Sequence, residues 1–190
     1  MVPAACAKMP DEEIVRLILK TGNNQLFSSL YNRYYSKVYK KCHGLVKDKT
    51  IASEFANDIM TKAFEKLPGF KQDAMFGTWL YSITYNHCID YLREKKKLHY
   101  PNWNKENVIA EFYEQPQEDF TDLHFARLAK ILAMLHIEEK AMLLMKYQDD
   151  LSIKEIAAAM RLSEGAVKMR IKRSKARILY LYKKLYGNSS

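Results

Sequence analysis

The 190-residue chain, 22.3 kDa, carries 31 Lys and Arg against 22 Asp and Glu, a formal net charge of +9 and a pI near 9.3; such a balance suits an anionic partner, nucleic acid first among them. With 48% apolar and 28% charged residues and only 6 Gly and 5 Pro, it is not disordered, low-complexity or collagenous, and it is long enough for one ordinary domain or two small ones. Cys6, Cys42 and Cys88, an odd set at irregular spacing, exclude a disulfide scaffold, and no apolar run approaches the roughly eighteen residues of a membrane span.

Residues 1–10 read as a tail with no basic-then-apolar leader, so a reducing cytoplasm is the expected compartment. Phe27, Leu30, Tyr31, Tyr34 and Val38 follow i, i+3, i+4, i+7, i+11, and Ala52, Phe55, Ala56, Ile59, Ala63 and Leu67 do the same, predicting two helices. Pro68-Gly69 stops the second, and Phe70 to Met75 form a loop. A third helix begins near Gly77, with Phe76, Trp79, Leu80 and Ile83 on one stripe and Tyr81, Tyr85, Cys88 and Leu92 on an opposite one. Such a helix is buried around much of its circumference or is kinked.

Between 98 and 120 the period stops. This stretch holds Pro101, Pro116, Asn102, Asn104 and Asn107 and has 1 basic and 5 acidic residues, net −4, so it reads as a linker. Beyond it, Leu128, Ile131, Leu132 and Leu135 make another stripe, and a helix runs from Glu138 to Tyr147. No alternating strand pattern and no internal repeat appears. The expected fold is all-α: two small helical domains, 11–97 and 121–186, joined by an acidic flexible linker and followed by a short tail, 187–190.

The strongest local signal lies in 151–186, where 10 basic and 2 acidic residues give net +8. Ser152 and Glu155 have the spacing of a capping box ahead of Ile153, Ile156, Ala157 and Met160. Arg161-Leu162-Ser163 makes a turn, and Ser163 caps a helix whose inner face holds Val167, Ile171, Ser174 and Ile178. This is a helix-turn-helix. At about 100° per residue, Gly165, Met169, Lys172, Arg173 and Ala176 occupy the outward arc, with Lys168, Arg170, Lys175 and Arg177 on the flanks, where Arg170 is close enough to the turn to buttress the motif instead. A helix in a major groove wants base-reaching residues on the arc and cations beside it for phosphates. The plainer reading is a solvated basic face, against which stand the capped preceding helix, the short turn and the local charge.

The stretch from Leu151 to Arg177 resembles the promoter-reading C-terminal domain of the extracytoplasmic-function (ECF) sigma factors of bacterial RNA polymerase. In the N-terminal half, Leu26 to Tyr35 is similar to that family's first conserved helix, Ala56 to Phe64 to its polymerase-binding helix, and Phe76 to Arg93 to its promoter-opening helix. The match runs in order over residues 11–186. Two positions depart from the usual pattern: Lys62 stands where an acid is common, and Met169 replaces a small polar residue.

The resemblance implies a first domain that docks on the clamp of the largest polymerase subunit through Asn57, Asp58, Thr61, Lys62 and Glu65. The same domain would capture and melt the minus-ten element with Phe70, Lys71, Gln72, Asp73, Met75, Asn86, Arg93, Lys95, Lys96 and Lys97. Aromatic, thioether, amide and charged groups in the loop suit an unstacked base. Minus-thirty-five recognition would fall to Arg161, Ser163, Glu164, Gly165, Lys168, Met169, Arg170, Lys172, Arg173 and Lys175. The 23 linker residues, extended, reach about 76 Å, beyond the roughly 58 Å of a seventeen-base-pair spacer. With no further domain expected after Tyr186, regulation would come from a separate anti-sigma protein.

No enzymatic constellation is found, and neither cofactor nor metal is expected. Cys42-His43 and His87-Cys88 are adjacent on helices, where side chains point about 100° apart and rarely reach one ion. Asp58 and Asp90 share no motif. The rival reading is an autonomous helix-turn-helix regulator that uses 11–97 for dimerisation or signalling.

Overall fold

A computed structural model describes residues 9–96 and 125–187, all helix, turn and loop with no strand among them. The chain divides into two compact units, one within Met1–Lys97 and the other within Leu98–Ser190. The expected linker, Lys97, most of the N-terminal tail and residues 188–190 lie outside the described residues, as does the side chain of Lys96.

The first unit is built from α1 (Asp11–Thr21), α2 (Phe27–Val46), α3 (Lys49–Lys66) and α4 (Phe76–Lys96). Its core is the shared apolar face of α2, α3 and α4, with Leu30, Val38, Cys42, Ala52, Ile59, Leu80 and Cys88 fully shielded. Asp48 starts α3 by accepting from the Ile51 N–H at 3.0 Å. The helix over Asp11–Thr21 goes beyond the sequence reading, although its acidic first turn and buried Ile14, Val15 and Ile18 are an amphipathic helix pattern.

The two predicted stripes of α4 prove to be one face. Phe76, Leu80, Thr84, Cys88 and Leu92 are buried in steps of four, which advance the face about 40° each time and carry it around the helix. Tyr85 and Ile89 widen it. Thr84 belongs to this face because its hydroxyl is satisfied, donating to the Leu80 carbonyl at 2.9 Å.

The second unit comprises α5 (Phe125–Met134), α6 (Ile137–Tyr147), α7 (Ile153–Met160) and α8 (Glu164–Tyr186), with α5, α6 and α7 all packed on α8. Ile131, Met142, Met145, Leu151, Ile156 and Val167 fill its centre.

Candidate nucleic-acid interface

In the second unit the expected helix-turn-helix is present with its caps. The Glu155 N–H donates to Ser152 Oγ at 3.2 Å and the Ser152 N–H to Glu155 Oε2 at 2.7 Å, which starts α7. Arg161 takes a left-handed conformation (φ 54°) at its C-terminus, and the Leu162 N–H donates to the Ala157 carbonyl at 3.0 Å, turning the chain sharply. Ser163 Oγ then accepts from the Ala166 N–H at 3.2 Å to start α8. Val167, Ile171, Ser174 and Ile178 face inward as the spacing predicts. Ser163, Glu164, Gly165, Lys168, Met169 and Lys172 are exposed, and Arg173 is half-buried.

Two positions on α8 differ from the sequence reading, and a third, Arg170, takes the buttressing one of its two expected roles. Ala176, expected on the outward arc, is 4% exposed, so the open face belongs to the first turns of the helix and closes where neighbouring helices cover it. Arg170 donates to Glu138 Oε2 at 2.9 Å in a pair whose side chains are 21% and 4% exposed, which makes it an internal brace rather than a phosphate contact. Lys175 is half-buried with Nζ 5.0 Å from the Tyr147 ring centroid, a cation–π placement, on the wall of a 600 Å³ groove lined by Leu128, Leu132, Leu143, Leu144 and Ile178. A phosphate contact by Lys175 would forfeit that ring.

The brace has a second carboxylate. Glu139 is buried and its pKa is raised, by burial first; the His136 backbone N–H, Arg177, Ser174 and Arg170 oppose the shift. His136, capping α6, accepts from the Glu138 N–H at 3.4 Å, while its own N–H donates to Glu139 Oε2 at 3.0 Å. The His136–Glu139 capping box has local i, i+3 spacing, whereas the Ser174, Arg170 and Arg177 partners lie more than thirty residues on and are not visible in it.

In the first unit, Asn57, Asp58, Thr61, Lys62 and Glu65 all lie exposed on one side of α3, opposite the buried Ala52, Phe55, Ala56, Ile59, Met60 and Ala63. Tyr31 donates to Asn57 Oδ1 at 3.0 Å. Lys62 Nζ lies 2.9 Å from His87 Nδ1, directed at α4. The His87 pKa is lowered, by burial first and then by the Lys62 charge, with Asp58 and Asp90 opposing, so the neutral ring is favoured and its Nδ1 accepts from the ammonium.

The loop after α3 is anchored at both ends. Phe70 is 7% exposed, tilted against Trp79 (centroids 4.8 Å) and edge-on to Phe76 (6.2 Å). Its ring is therefore an anchor, not a surface for stacking on a base, and the outward groups are Lys71, Gln72, Asp73 and Met75, the last 70% exposed. Gln72 takes φ 57°. At the far end the Phe76 N–H donates to Glu12 Oε1 at 3.3 Å, so α1 caps α4.

Asp11 holds Arg33 and accepts from the Tyr34 hydroxyl at 2.6 Å, and burial and this bond raise the Tyr34 pKa. A Cβ on Gly77 would lie 2.9 Å from the Tyr34 hydroxyl, so that glycine gives the ring its path to Asp11. The remaining members of the expected minus-ten set stand apart. Asn86 is half-buried, Arg93 pairs with Asp90 at 3.4 Å and Lys95 donates to the Tyr91 hydroxyl at 2.8 Å. Arg93 lies about 25 Å along α4 from Phe76 and Asn86 about 15 Å, from the helical rise, so the loop stands at the start of α4, Asn86 at its middle, and Arg93 and Lys95 near its end.

A sigma-70 region 2 family model matches residues 30–98 and a sigma-70 region 4 model matches residues 125–178, together more than half of the chain. Similar proteins include the ECF sigma factor SigW of Bacillus subtilis, 25% identical over 170 residues that cover 83% of this chain and 89% of SigW. The ECF sigma factor RpoE of Cereibacter sphaeroides is 29% identical over 167 residues, 84% of this chain and 87% of RpoE. The chain belongs to the ECF sigma factors of bacterial RNA polymerase.

This sigma factor has the fold of solved relatives. CnrH, solved in complex with the cytosolic domain of CnrY, superposes with a TM-score of 0.62 at 22% identity over 92% of this chain and 98% of CnrH. The sigma factor RpoE of Bartonella quintana, in complex with the anti-sigma factor NepR, gives 0.58 at 18% identity over 83% and 96%. The region 2 match begins at residue 30, so the α1 carboxylates of the sigma factor, Asp11 and Glu12, lie ahead of the stretch that defines the region. No helix among the described residues is long and apolar enough to cross a membrane.

Proposed function

We propose that the sigma factor divides its work as follows. Residues 11–97 bind core polymerase through the exposed face of α3, on the clamp of the largest subunit. The 70–75 loop captures an unstacked base of the minus-ten element with Lys71, Gln72, Asp73 and Met75, while Asn86, Arg93 and Lys95 meet backbone farther along α4. Residues 121–186 read the minus-thirty-five duplex with the first turns of α8, where Lys168, Met169, Lys172 and Arg173 lie beyond the cap. Residues 98–120 connect the two; their net charge of −4 keeps them off the duplex. The chain supplies no catalytic group and works in the cytoplasm, because the polymerase it serves does the chemistry there. A separate anti-sigma protein holds it inactive, as NepR is found with the Bartonella factor.

The observation that carries this reading is the split of α8: its first turns expose a cationic face while Arg170 and Ala176 are committed to the interior. An autonomous regulator would not need the exposed α3 face to engage polymerase. Asp58→Arg combined with Glu65→Lys reverses charge on that exposed face without touching the core. Gel filtration with core polymerase should show co-elution weakened at least tenfold and the helical content unchanged; unaltered co-elution removes α3 from the interface.

A further inference from the structure

Met169 is 48% exposed. Of the large apolar residues exposed among the described ones, which are Leu19, Met75, Met134, Tyr147, Met169 and Leu185, it is the one on the open first turns of α8. Leaving a thioether side chain in water within a cationic stretch brings the fold no packing. One turn earlier on the same side stands Gly165, where an added Cβ would meet nothing within 4 Å and where the backbone is ordinary right-handed helix. Glycine in a helix is unfavourable relative to alanine. The fold therefore requires neither the bareness at 165 nor the apolar group at 169.

Both make sense toward an occupant of the groove-facing side. At about 100° per residue, Lys168 and Lys172 lie on one side of the pair and Arg173 on the other, and cations on both sides suit the phosphates that border a helix in the major groove. Between them lies an apolar patch with a hollow. Of the groups presented in the major groove, the thymine C5-methyl is the apolar one, and a flexible, polarizable thioether conforms well to it. We infer that Met169 reads a thymine methyl in the upstream promoter element, with Gly165 leaving the hollow into which that base edge comes close. The inference rests on the promoter-reading role proposed for α8 and names the chemistry of one specificity position.

The test uses holoenzyme reconstituted from the full chain and core polymerase. Selection on randomised duplexes supplies the upstream element, and each thymine in it is then replaced by uracil, which removes the methyl and nothing else. At one position the wild type should lose roughly 3–5-fold in affinity, the gain from shielding a single methyl from water. With Met169→Ala, thymine and uracil at that position should bind alike, and Met169→Leu should restore most of the preference. Gly165→Ala should raise the thermal midpoint of the free chain while lowering affinity for the selected duplex severalfold. Uracil tolerated everywhere by the wild type, a methyl preference that survives Met169→Ala, or full affinity in Gly165→Ala each overturns the inference while the sigma reading stands. Failure to select any upstream element overturns both.

Discussion

The 70–75 loop and helix α8 each present exposed side chains from a fixed support, but different forces fix them. The loop hangs from rings: Phe70 packed on Trp79 and Phe76 at one end, the Phe76 N–H capped by Glu12 at the other. The helix is set by charge and hydrogen bonds: Arg170 on Glu138, Glu139 among His136, Ser174 and Arg177, and Ser163 at its start. Apolar anchoring fixes where a loop begins and leaves its tip free to adapt, as the proposed capture of an unstacked base would require. A directional brace fixes rotation, and rotation decides which residues of a helix enter a groove. In the proposed division of labour, each reader thus has a support matched to what it must hold constant.

The largest expected effect breaks the first support. Phe70→Ala empties a ring site that is nearly closed to solvent and should cost about 3–5 kcal/mol, confined to the first unit. In a Trp103→Phe background Trp79 is the sole tryptophan and touches the removed ring, so urea unfolding followed by its emission measures that unit. A midpoint shift under 1 kcal/mol would mean that the Phe70 ring is not an anchor.

Breaking the second support comes next. Arg170→Ala strips Glu138, 4% exposed, of its ion pair and should destabilise the second unit by about 3 kcal/mol. Hydrogen exchange should quicken over α6 and α8 and stay constant over α1 to α4. Replacing the pair with Glu138→Leu and Arg170→Met should recover most of the stability yet blur promoter choice, since apolar packing does not set rotation as a directional bond does.

The smallest effect sharpens the contrast through pH. The lowered His87 pKa means the folded state prefers the neutral ring, so this contribution is complete above the ordinary value of 6.5 and is lost as pH falls through the lowered folded pKa. Stability of the first unit, read by Trp79, should therefore decline on acidification in that window, and His87→Gln should flatten that part of the curve. An identical slope in the variant would assign the titration elsewhere.

How much of this was legible in the chain follows from the range of each interaction. Ser152 with Glu155, the Ser163 cap and the inward set Val167, Ile171, Ser174 and Ile178 are fixed within one or two turns, so spacing alone finds them. Ala176 escaped because an angular plot knows one helix and not the three packed on α8. Phe70 sits among polar loop residues and is buried by Trp79, nine residues on. The Asp11 contacts to Arg33 and Tyr34 span 22 and 23 residues, and Arg170 finds Glu138 across 32. Such pairs are set by topology, which spacing does not encode. In the α3 face, where exposure follows from helical period alone, every expected residue was found outward.

The most direct test of the account is run-off transcription on a genomic fragment library with core polymerase and the full chain. Discrete start sites preceded by two spaced elements are predicted. Replacing Lys71, Gln72, Asp73 and Met75 together should change the downstream element alone, and Lys172→Ala with Arg173→Ala the upstream element alone, each by tenfold or less per base position. Start sites without shared elements, or a loop replacement that alters the upstream bases, would contradict the division of labour between the two units.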